Sequence, residues 1–246
     1  GVQTCALPIY GSENADELTD AINKCHFGNV LLIKNASNIG LPVNYNRAAK
    51  MASDEGYEWL LIMDQDTLIP QNMVKRLCRF TKIKDTAIIC PLFRDINLYS
   101  KEQFQKLIPS KKAQYVDFCI SSGSLNRVST ILELGGFDEK LFIDMVDYDY
   151  CKIVSMHGYK VIRDNTSIIE HSIGRSHFIK FPFIHKRLIS YNYSPFRLYY
   201  IYRNRVYYAR KFHLSMIKDR KFYLKIFKTM FALLFEKNRF KKIKNS

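Results

Sequence analysis

The chain has 246 residues, 47% of them hydrophobic, and a formal net charge of +15, which is enough apolar material for a packed core of one large or two small domains. No uninterrupted apolar stretch reaches the length of a membrane span, so any membrane contact is expected to be peripheral. The excess charge lies in residues 181–246, which hold 17 Lys and Arg against two acidic residues, whereas residues 1–180 are neutral.

The six cysteines are scattered along the chain and form no CxxC pair. Several of them lie inside apolar segments that should be buried. This pattern favours reduced thiols in a cytoplasmic protein over a disulfide framework or a zinc site.

Residues 1–9 (GVQTCALPI) show no helical or strand period and no clear connection to the residues after them. We interpret them as a non-native leader and expect them to lie outside the fold. The next predicted elements are a helix at 16–25, a strand at 30–33 and a helix at 42–53. The last of these has Pro42 at its start and Gly56 just beyond its end, as helix termini prefer.

A strand buried on both faces is predicted at 59–63, because five apolar residues in a row (WLLIM) are bounded by polar ones. It ends at Asp64-Gln65-Asp66. Ligands of open α/β sheets bind at the carboxyl ends of the strands, and carboxylate oxygens suit a hard divalent cation. A DxD triplet alone is a weak signal, since acids also cap helices.

Further helices are predicted after Pro70 and at 147–157, with strands at 87–90, 115–120 and 160–163. Two more helices are predicted in the aromatic and basic region, at 195–212 and 218–240. The alternation of strands and helices predicts an α/β fold with a mostly parallel sheet flanked by helices and a basic helical tail.

Three acids cluster within six residues at Asp144, Asp147 and Asp149. They are costly to bury unless a cation or a proton is near, and part of the cluster is explained by an acidic helix start. If Asp147 opens the helix, Asp149 faces another way, so only one or two of these acids can point into a shared site.

A lone His171 after a strand is usually a structural hydrogen-bonding residue. Beside a DxD and an acid cluster it becomes a candidate contact for a metal or a diphosphate.

The combination resembles the inverting GT-A glycosyltransferases of family 2, within them the bacterial rhamnosyltransferase-like branch. The resemblance covers about residues 11–212, and the order and spacing of its motifs are more specific than any one of them. The motifs are Asn38-Ile39-Gly40 with Asn46; Leu61-Ile62-Met63-Asp64-Gln65-Asp66-Thr67; Ser122-Gly123-Ser124 followed by Gly135-Gly136-Phe137-Asp138-Glu139, Asp144 and Asp147; His171-Ser172-Ile173-Gly174; and Ser194-Pro195-Phe196-Arg197.

The resemblance implies a GT-A, Rossmann-like catalytic domain over residues 10–180, followed by an aromatic and basic helical region over 181–246. It also implies roles for particular residues. Asp64 and Asp66 would hold a divalent cation (Mg²⁺ or Mn²⁺) and the donor, with His171 as a further metal or diphosphate contact. Asp147 would be the general base, with Asp144 as its rival because Val146 stands where many relatives carry Glu. Asn38, Gly40 and Asn46 would line the nucleotide side, and Ser122 and Gly123 the sugar and acceptor.

The implied function is transfer of a sugar, with inversion, to a saccharide or lipid-linked acceptor in bacterial cell-surface polysaccharide synthesis. The expected donor is dTDP-rhamnose, with UDP-sugars as rivals. Family members open with a strand and turn that hold the nucleoside base, and Gly11-Ser12 resembles the remnant of that block. We therefore expect a catalytic domain without its first strand, which binds donor weakly or not at all and is inactive in the latter case.

The basic tail leaves alternatives open. An amphipathic basic helix suits the anionic inner face of a cell membrane, where a lipid-linked acceptor would lie. An ordinary helix packed on the catalytic domain, with a solvated basic face, explains the same pattern. A basic nucleic-acid-binding protein is a further alternative, but the neutral first 180 residues argue against a nucleic-acid partner. A nucleotidyltransferase, or another metal-dependent enzyme that acts on nucleotide sugars, would fit the same kind of sheet.

Overall fold

The computed structural model describes residues 2–6, 20, 31, 33, 35–64, 67–181, 184–234 and 236. Its centre is a six-stranded mixed sheet with the strand order β1-β2-β5-β3-β6-β4. Strand β1 is parallel to β2 and β3 is parallel to β6, while β5 and β4 are antiparallel to their neighbours. The strands are β1 (Val2–Ala6), β2 (Trp59–Met63), β3 (Thr86–Asp95), β4 (Ala113–Tyr115), β5 (Ser124–Arg127) and β6 (Lys160–His171).

Strand β2 is buried on both faces, as its apolar sequence predicts. Leu60 and Ile62 belong to the hydrophobic cluster on one side of the sheet, and Trp59 and Leu61 belong to the cluster on the other side. Alternate side chains of a strand point to opposite faces, so a strand with helices on both sides is apolar throughout. Asp64, the residue that follows β2, is therefore held at a fixed position on the edge of the sheet.

In the described part of the chain, five helices flank this sheet. Helix α1 begins after Gly40 with Pro42 in its first turn and buries Tyr45, Ala49 and Ala52 on one face, which is the spacing of an amphipathic helix. Helix α3 begins with a capping box between Ser100 and Gln103, which satisfies two backbone N–H groups. The helices are α1 (Leu41–Asp54), α2 (Met73–Leu77), α3 (Lys101–Gln105), α4 (Val128–Glu133) and α5 (Val146–Met156).

The C-terminal region contains a β-hairpin and two helices among its described residues. The hairpin pairs β7 (His177–Phe181) with β8 (Ile184–Ser190), and helices α6 (Pro195–Lys211) and α7 (Arg220–Leu233) come after it. Leu198 and Ile201 of α6 pack against Leu233 of α7, and Tyr208 of α6 joins the main core. None of the helices in the described part is long and apolar enough to cross a membrane.

Residues 1–9 require a correction. We predict that they lie outside the fold, but Val2–Ala6 form β1 and pair with β2 from Val2↔Trp59 to Ala6↔Met63, whereas residues 7–9 lie outside the described part. The physical reason is that an unpaired edge of β2 offers backbone N–H and C=O groups, and an extended segment of almost any composition can pair with them.

Other predictions differ in detail. The predicted helix at 16–25 and the predicted strand at 30–33 fall largely outside the described residues. The strand predicted at 115–120 is instead Ala113–Tyr115. The predicted helix at 218–240 is seen as Arg220–Leu233, and residues 237–240 lie outside the described part. The region 181–246, predicted to be helical, also contains β8.

Candidate active site

A cleft of about 680 Å³ opens at the carboxyl ends of β2 and β6. These strands run in the same direction, so their last residues reach the same sheet edge. The loop that precedes α5 forms a second side, and the C-terminal region forms a third. Charged residues from all these elements line the cleft, namely Asp64, Asp144, Asp147, His171, Arg197, Arg205 and Lys225.

Asp64 and His171 face each other in the cleft, with 3.9 Å between Oδ2 and Nε2. The other ring nitrogen, His171 Nδ1, is 3.0 Å from Thr67 Oγ1. Thr67 Oγ1 lies 2.7 Å from Ser122 Oγ, which also accepts a hydrogen bond from the backbone N–H of Asp64. This network fixes both the imidazole ring and the end of β2. Sequence reasoning did not identify Thr67 as part of it.

The side chains of Asp64 and His171 are suitable ligands for a divalent cation. A carboxylate oxygen and an imidazole nitrogen 3.9 Å apart leave room for an ion at about 2.1 Å from each, and Mn²⁺ accepts both ligand types. Metal-binding histidines usually form a hydrogen bond through their second ring nitrogen, and in this structure Thr67 is the partner of that nitrogen. Within the described ranges no three His, Cys, Asp or Glu residues group as metal ligands. The predicted third ligand, Asp66, lies outside the described residues.

Asp147 is partly buried in the first turn of α5 and lines the cleft. The pKa of its carboxyl group is raised to about 7. Burial is the main cause and the neighbouring charge of Asp144 adds to it, while a hydrogen bond from the backbone N–H of Tyr148 and the charge of Lys225 lower the pKa. A general base works best when its pKa lies near the working pH. This carboxyl group can therefore accept and release a proton near neutrality.

Asp144 has a different environment. Its Oδ2 lies 3.0 Å from Arg197 Nε in an ion pair, and its backbone φ is +64°. Phe142 and Met145 also have positive φ values, of 60° and 63°. Such conformations persist only where the surroundings hold them. The ion pair with Arg197 makes Asp144 the weaker candidate for the base.

Asn204 of α6 holds this loop in place. The side chain is fully buried, and its Nδ2 donates to the carbonyl oxygens of Leu141, Ile143 and Asp144 at 2.8, 2.6 and 2.9 Å. The C-terminal region thus positions the residues around the candidate base.

Asp149, the third acid of the cluster, and Asp138, which lies earlier in the chain, both bind Lys211 of α6. Lys211 Nζ donates to Asp138 Oδ2 at 2.7 Å and to Asp149 Oδ2 at 2.8 Å. Of the clustered acids, Asp144 and Asp147 line the cleft while Asp149 does not. This confirms that only one or two of them can share a site.

Only some of the residues predicted to line the nucleotide, sugar and acceptor sides lie at the cleft. Asn38 Oδ1 accepts from the backbone N–H of Gly40, and Gly40 packs directly against Phe142. Asn46 bonds to both backbone groups of Phe137, and is not among the residues lining the cleft. Ser122 joins the Asp64 network, and Gly123 packs against Pro91. Within the described part, the structure brings Asp64, Ser122, His171, Asp144 and Asp147 to the cleft or its immediate border.

Sequence reasoning missed most of the third side of the cleft. Tyr191, Tyr193 and Lys225 line it together with Arg197 and Arg205. The only sequence signal for them was the mixture of aromatic and basic residues in the tail, which also describes an ordinary surface helix. The sequence also allows Arg197, Arg203 and Arg205 to contact phosphate groups of a donor or acceptor, and of these three Arg197 and Arg205 line the cleft.

Comparison with known proteins identifies the family. Residues 11–165 match the family described as "Glycosyl transferase family 2", a range that includes Asp64, Asp144 and Asp147. The chain is 27% identical over 245 residues to the dTDP-rhamnosyl transferase RfbF of Shigella flexneri, which covers 93% of this chain and 78% of the relative.

Solved structures show the same fold at low identity. GalNAc-T7 with UDP, GalNAc and Mn²⁺ superposes with a TM-score of 0.53 at 15% identity over 69% of this chain and 37% of that chain. A mannosyltransferase from Pyrobaculum calidifontis, in complex with GDP-Man and Mn²⁺, gives 0.54 at 14% identity over 71% and 48%. The chain therefore spans less than half of the length of these two structures. Its mixed sheet is the GT-A arrangement, and the chain belongs to glycosyl transferase family 2 as a rhamnosyltransferase-like glycosyltransferase.

Proposed function

We propose that the chain transfers a sugar from a nucleotide donor to an acceptor hydroxyl with inversion at the anomeric carbon. The observation that carries this proposal is the placement of Asp147, with its pKa of about 7, in the same cleft as the Asp64 and His171 pair. An alcohol is a poor nucleophile until a positioned base takes its proton. Asp147 supplies that base, and the proton moves from the acceptor oxygen to a carboxylate oxygen of Asp147.

The leaving group is a nucleoside diphosphate, which gains negative charge as its bond to the sugar breaks. Asp64 and His171, with Asp66, would hold a Mg²⁺ or Mn²⁺ ion, and such an ion stabilises this charge as a Lewis acid. Thr67 keeps the imidazole oriented for that role. One base and one leaving-group site require only a single displacement, so no covalent sugar intermediate forms.

We infer dTDP-rhamnose as the donor, on the basis of similarity to the RfbF protein. UDP-sugars are the rival class, because the neighbour GalNAc-T7 was solved with UDP. Donor screening by mass spectrometry, with Mn²⁺ or Mg²⁺ added, decides between them. The expected result is turnover of one deoxythymidine diphosphate sugar, abolished by chelation of the metal.

Asp147→Asn is the decisive variant in that screen. Loss of the base should reduce the rate of transfer by about 10²–10⁴-fold while donor binding persists. If the variant retained full turnover, the base would have to be reassigned to Asp144. If neither Asp147→Asn nor Asp144→Asn changed the rate, this account of the cleft would be abandoned.

We further propose that the protein acts in the cytoplasm at the inner face of the cell membrane, on a saccharide or lipid-linked acceptor of cell-surface polysaccharide synthesis. Support comes from helix α7, whose Leu224, Phe227 and Phe231 are exposed and are preceded by Lys218, Arg220 and Lys221. An apolar face beside basic residues suits an anionic lipid surface. Flotation with anionic vesicles, compared with an oligonucleotide mobility shift, separates membrane binding from nucleic-acid binding.

A further inference from the structure

Two cations, Arg205 of α6 and Lys225 of α7, line the end of the cleft formed by the C-terminal helices. Arg205 Nη1 donates to Thr229 Oγ1 at 3.3 Å, and Lys225 Nζ donates to the hydroxyl of Tyr148 at 2.8 Å. Both partners are neutral hydroxyl groups. Within the part of the chain that the structure describes, neither cation forms an ion pair with a carboxylate, whereas Arg197 and Lys211 do.

The two charges also act on each other. Desolvation by the surrounding residues lowers the pKa of the Lys225 ammonium group, although the side chain stays partly exposed, and the charge of Arg205 lowers that pKa further. Bringing two cations together costs free energy unless an anion lies between or beside them. The arrangement is the kind that a phosphate group relieves, because Arg and Lys bind phosphate oxygens with charge-assisted hydrogen bonds.

The position of this pair indicates which reactant it faces. Lys225 bonds to Tyr148, the residue after Asp147, and its charge acts on the Asp147 carboxylate. The charge of Arg197, by contrast, acts on Asp144 and Asp64. A general base must touch the hydroxyl that it deprotonates. Cations beside the base are therefore beside the acceptor, whereas the donor diphosphate belongs near Asp64.

Aromatic side chains complete this end of the cleft. Phe118 and Tyr148 stack with ring centroids 3.6 Å apart, and Tyr191 and Tyr193 stack at 5.4 Å. All four line the cleft. Apolar ring faces combined with a few convergent polar groups are typical of a site for an organic ligand that carries a charged group.

Helix α7 presents different residues on its two sides. Lys225 and Thr229 line the cleft, while Leu224, Phe227 and Phe231 are exposed on the outside. The cleft lined by Lys225 and the exposed apolar residues thus lie on opposite sides of one helix, so a ligand whose phosphate lies at Lys225 has a short path past α7 to its apolar outer face.

From these observations, and resting on the proposed glycosyl transfer, we propose that Arg205 and Lys225 form a subsite for the diphosphate of a lipid-linked glycosyl acceptor. The subsite would bind a glycosyl diphosphate with its sugar between the aromatic rings and its reacting hydroxyl at Asp147. The leaving nucleoside diphosphate has the same chemistry, so the test must distinguish the diphosphate of the acceptor from that of the donor.

The test compares two acceptors that share one sugar, a hexosyl diphosphate with a short alkyl chain and the corresponding alkyl hexoside. Transfer kinetics are measured for the full chain and for Arg205→Gln and Lys225→Gln. The expected result is a rise of about tenfold or more in KM for the diphosphate acceptor, with unchanged KM for the hexoside and for the nucleotide sugar. Lys228→Gln is the matched control, because it removes an exposed charge from the same helix.

Equilibrium binding of the alkyl diphosphate, measured without donor, gives a second readout that needs no turnover. Loss of this binding in both variants but not in the control supports the subsite even if no donor is found, in which case only the proposed transfer fails. A rise in KM for the nucleotide sugar, or an equal loss with both acceptors, overturns the subsite and leaves the transfer intact. Unchanged constants in both variants also overturn it.

Discussion

The carboxyl group of Asp147 takes its chemistry from its surroundings. Its pKa of about 7, against an ordinary value of 3.8, comes first from burial and then from the charge of Asp144. A carboxylate in this state costs the folded protein stability whenever it is ionised. The native chain binds the proton more tightly than the unfolded chain, so stability falls as the pH rises between the two pKa values.

Asp147→Asn should therefore make the protein inactive but more stable. Asparagine stays neutral at every pH. The stability of the variant relative to the wild type should therefore increase as the pH rises from about 4 to 7 and remain constant above pH 7. An advantage of about 1 kcal/mol would raise Tm by about 3 °C in a chain of this size. Thermal unfolding at pH 5 and pH 8 checks this. An advantage larger at pH 5 than at pH 8 would contradict the assigned pKa.

The neighbouring Asp144 leads to a different expectation. Its charge raises the pKa of Asp147, and its ion pair occupies Arg197. In Asp144→Asn the negative charge is lost and the guanidinium is released, and both changes lower the pKa of Asp147. The acidic limb of the rate profile should move to lower pH, with a rate loss of about tenfold from poorer positioning. Measurement of kcat/KM between pH 5 and 9 tests this, and an unmoved limb would argue against Asp147 as the base.

At the scale of elements, helix α1 and the loop before α5 are fitted to each other at Gly40. Its φ is +82°, and a Cβ there would lie 2.8–2.9 Å from atoms of Phe142, including backbone. The loop is held from its other side by Asn204. The residues around the candidate base are thus enclosed between α1 and α6.

Gly40→Ala tests this fit, and Gly56→Ala is its matched control. Both glycines have positive φ, but a Cβ at Gly56 meets nothing within 4 Å. The control should cost about 1 kcal/mol of unfolding free energy for the left-handed backbone alone. Gly40→Ala should cost at least ~2 kcal/mol more because the loop must shift, and should also slow transfer. Urea unfolding of both variants measures the two losses of unfolding free energy. Equal losses would mean that the loop at Phe142 moves aside at little energetic cost.

The elements also show why some features could be predicted and others could not. The signals for β2 and for the acids at its end are local, since five apolar residues and two carboxylates lie within eight positions. Asn204 and Lys211 act on residues 60 and 62 positions away, and nothing in their own neighbourhood indicates those partners. Strand β5 could not be predicted either. It has only four residues, with Ser124 at its start and Asn126 inside it, and this is too short for an alternation of apolar and polar residues to be recognised.

At the scale of the whole molecule, the C-terminal region is part of the cleft. The sequence predicted a basic, aromatic helical tail but left open whether it packs on the catalytic domain or meets a membrane. The structure shows packing, through Tyr208 in the main core and through the lining residues of α6 and α7. An amphipathic pattern shows which face of a helix is apolar and which is polar. It does not show what packs against each face, because those contacts come from residues distant in the sequence.

The outer face of α7 carries the last prediction. Leu224, Phe227 and Phe231 are 44%, 57% and 50% exposed, so replacing all three by Ser should leave the fold intact. If this face inserts into a lipid interface, the loss of apolar area should weaken binding to vesicles containing anionic lipid by about tenfold or more. Binding by the wild type should also fall as salt is raised, because the basic residues beside the face contribute electrostatically.

Co-sedimentation with anionic and with neutral vesicles measures both effects. Met156→Ser is the control, because Met156 is 63% exposed and lies on α5, outside this face. Transfer to a short-chain soluble acceptor should be unaffected in the triple variant, since Lys225 and Thr229 on the inner side of α7 remain. Unchanged sedimentation of the triple variant would mean that the outer face of α7 contacts something other than lipid, even if the cleft beneath it works as proposed.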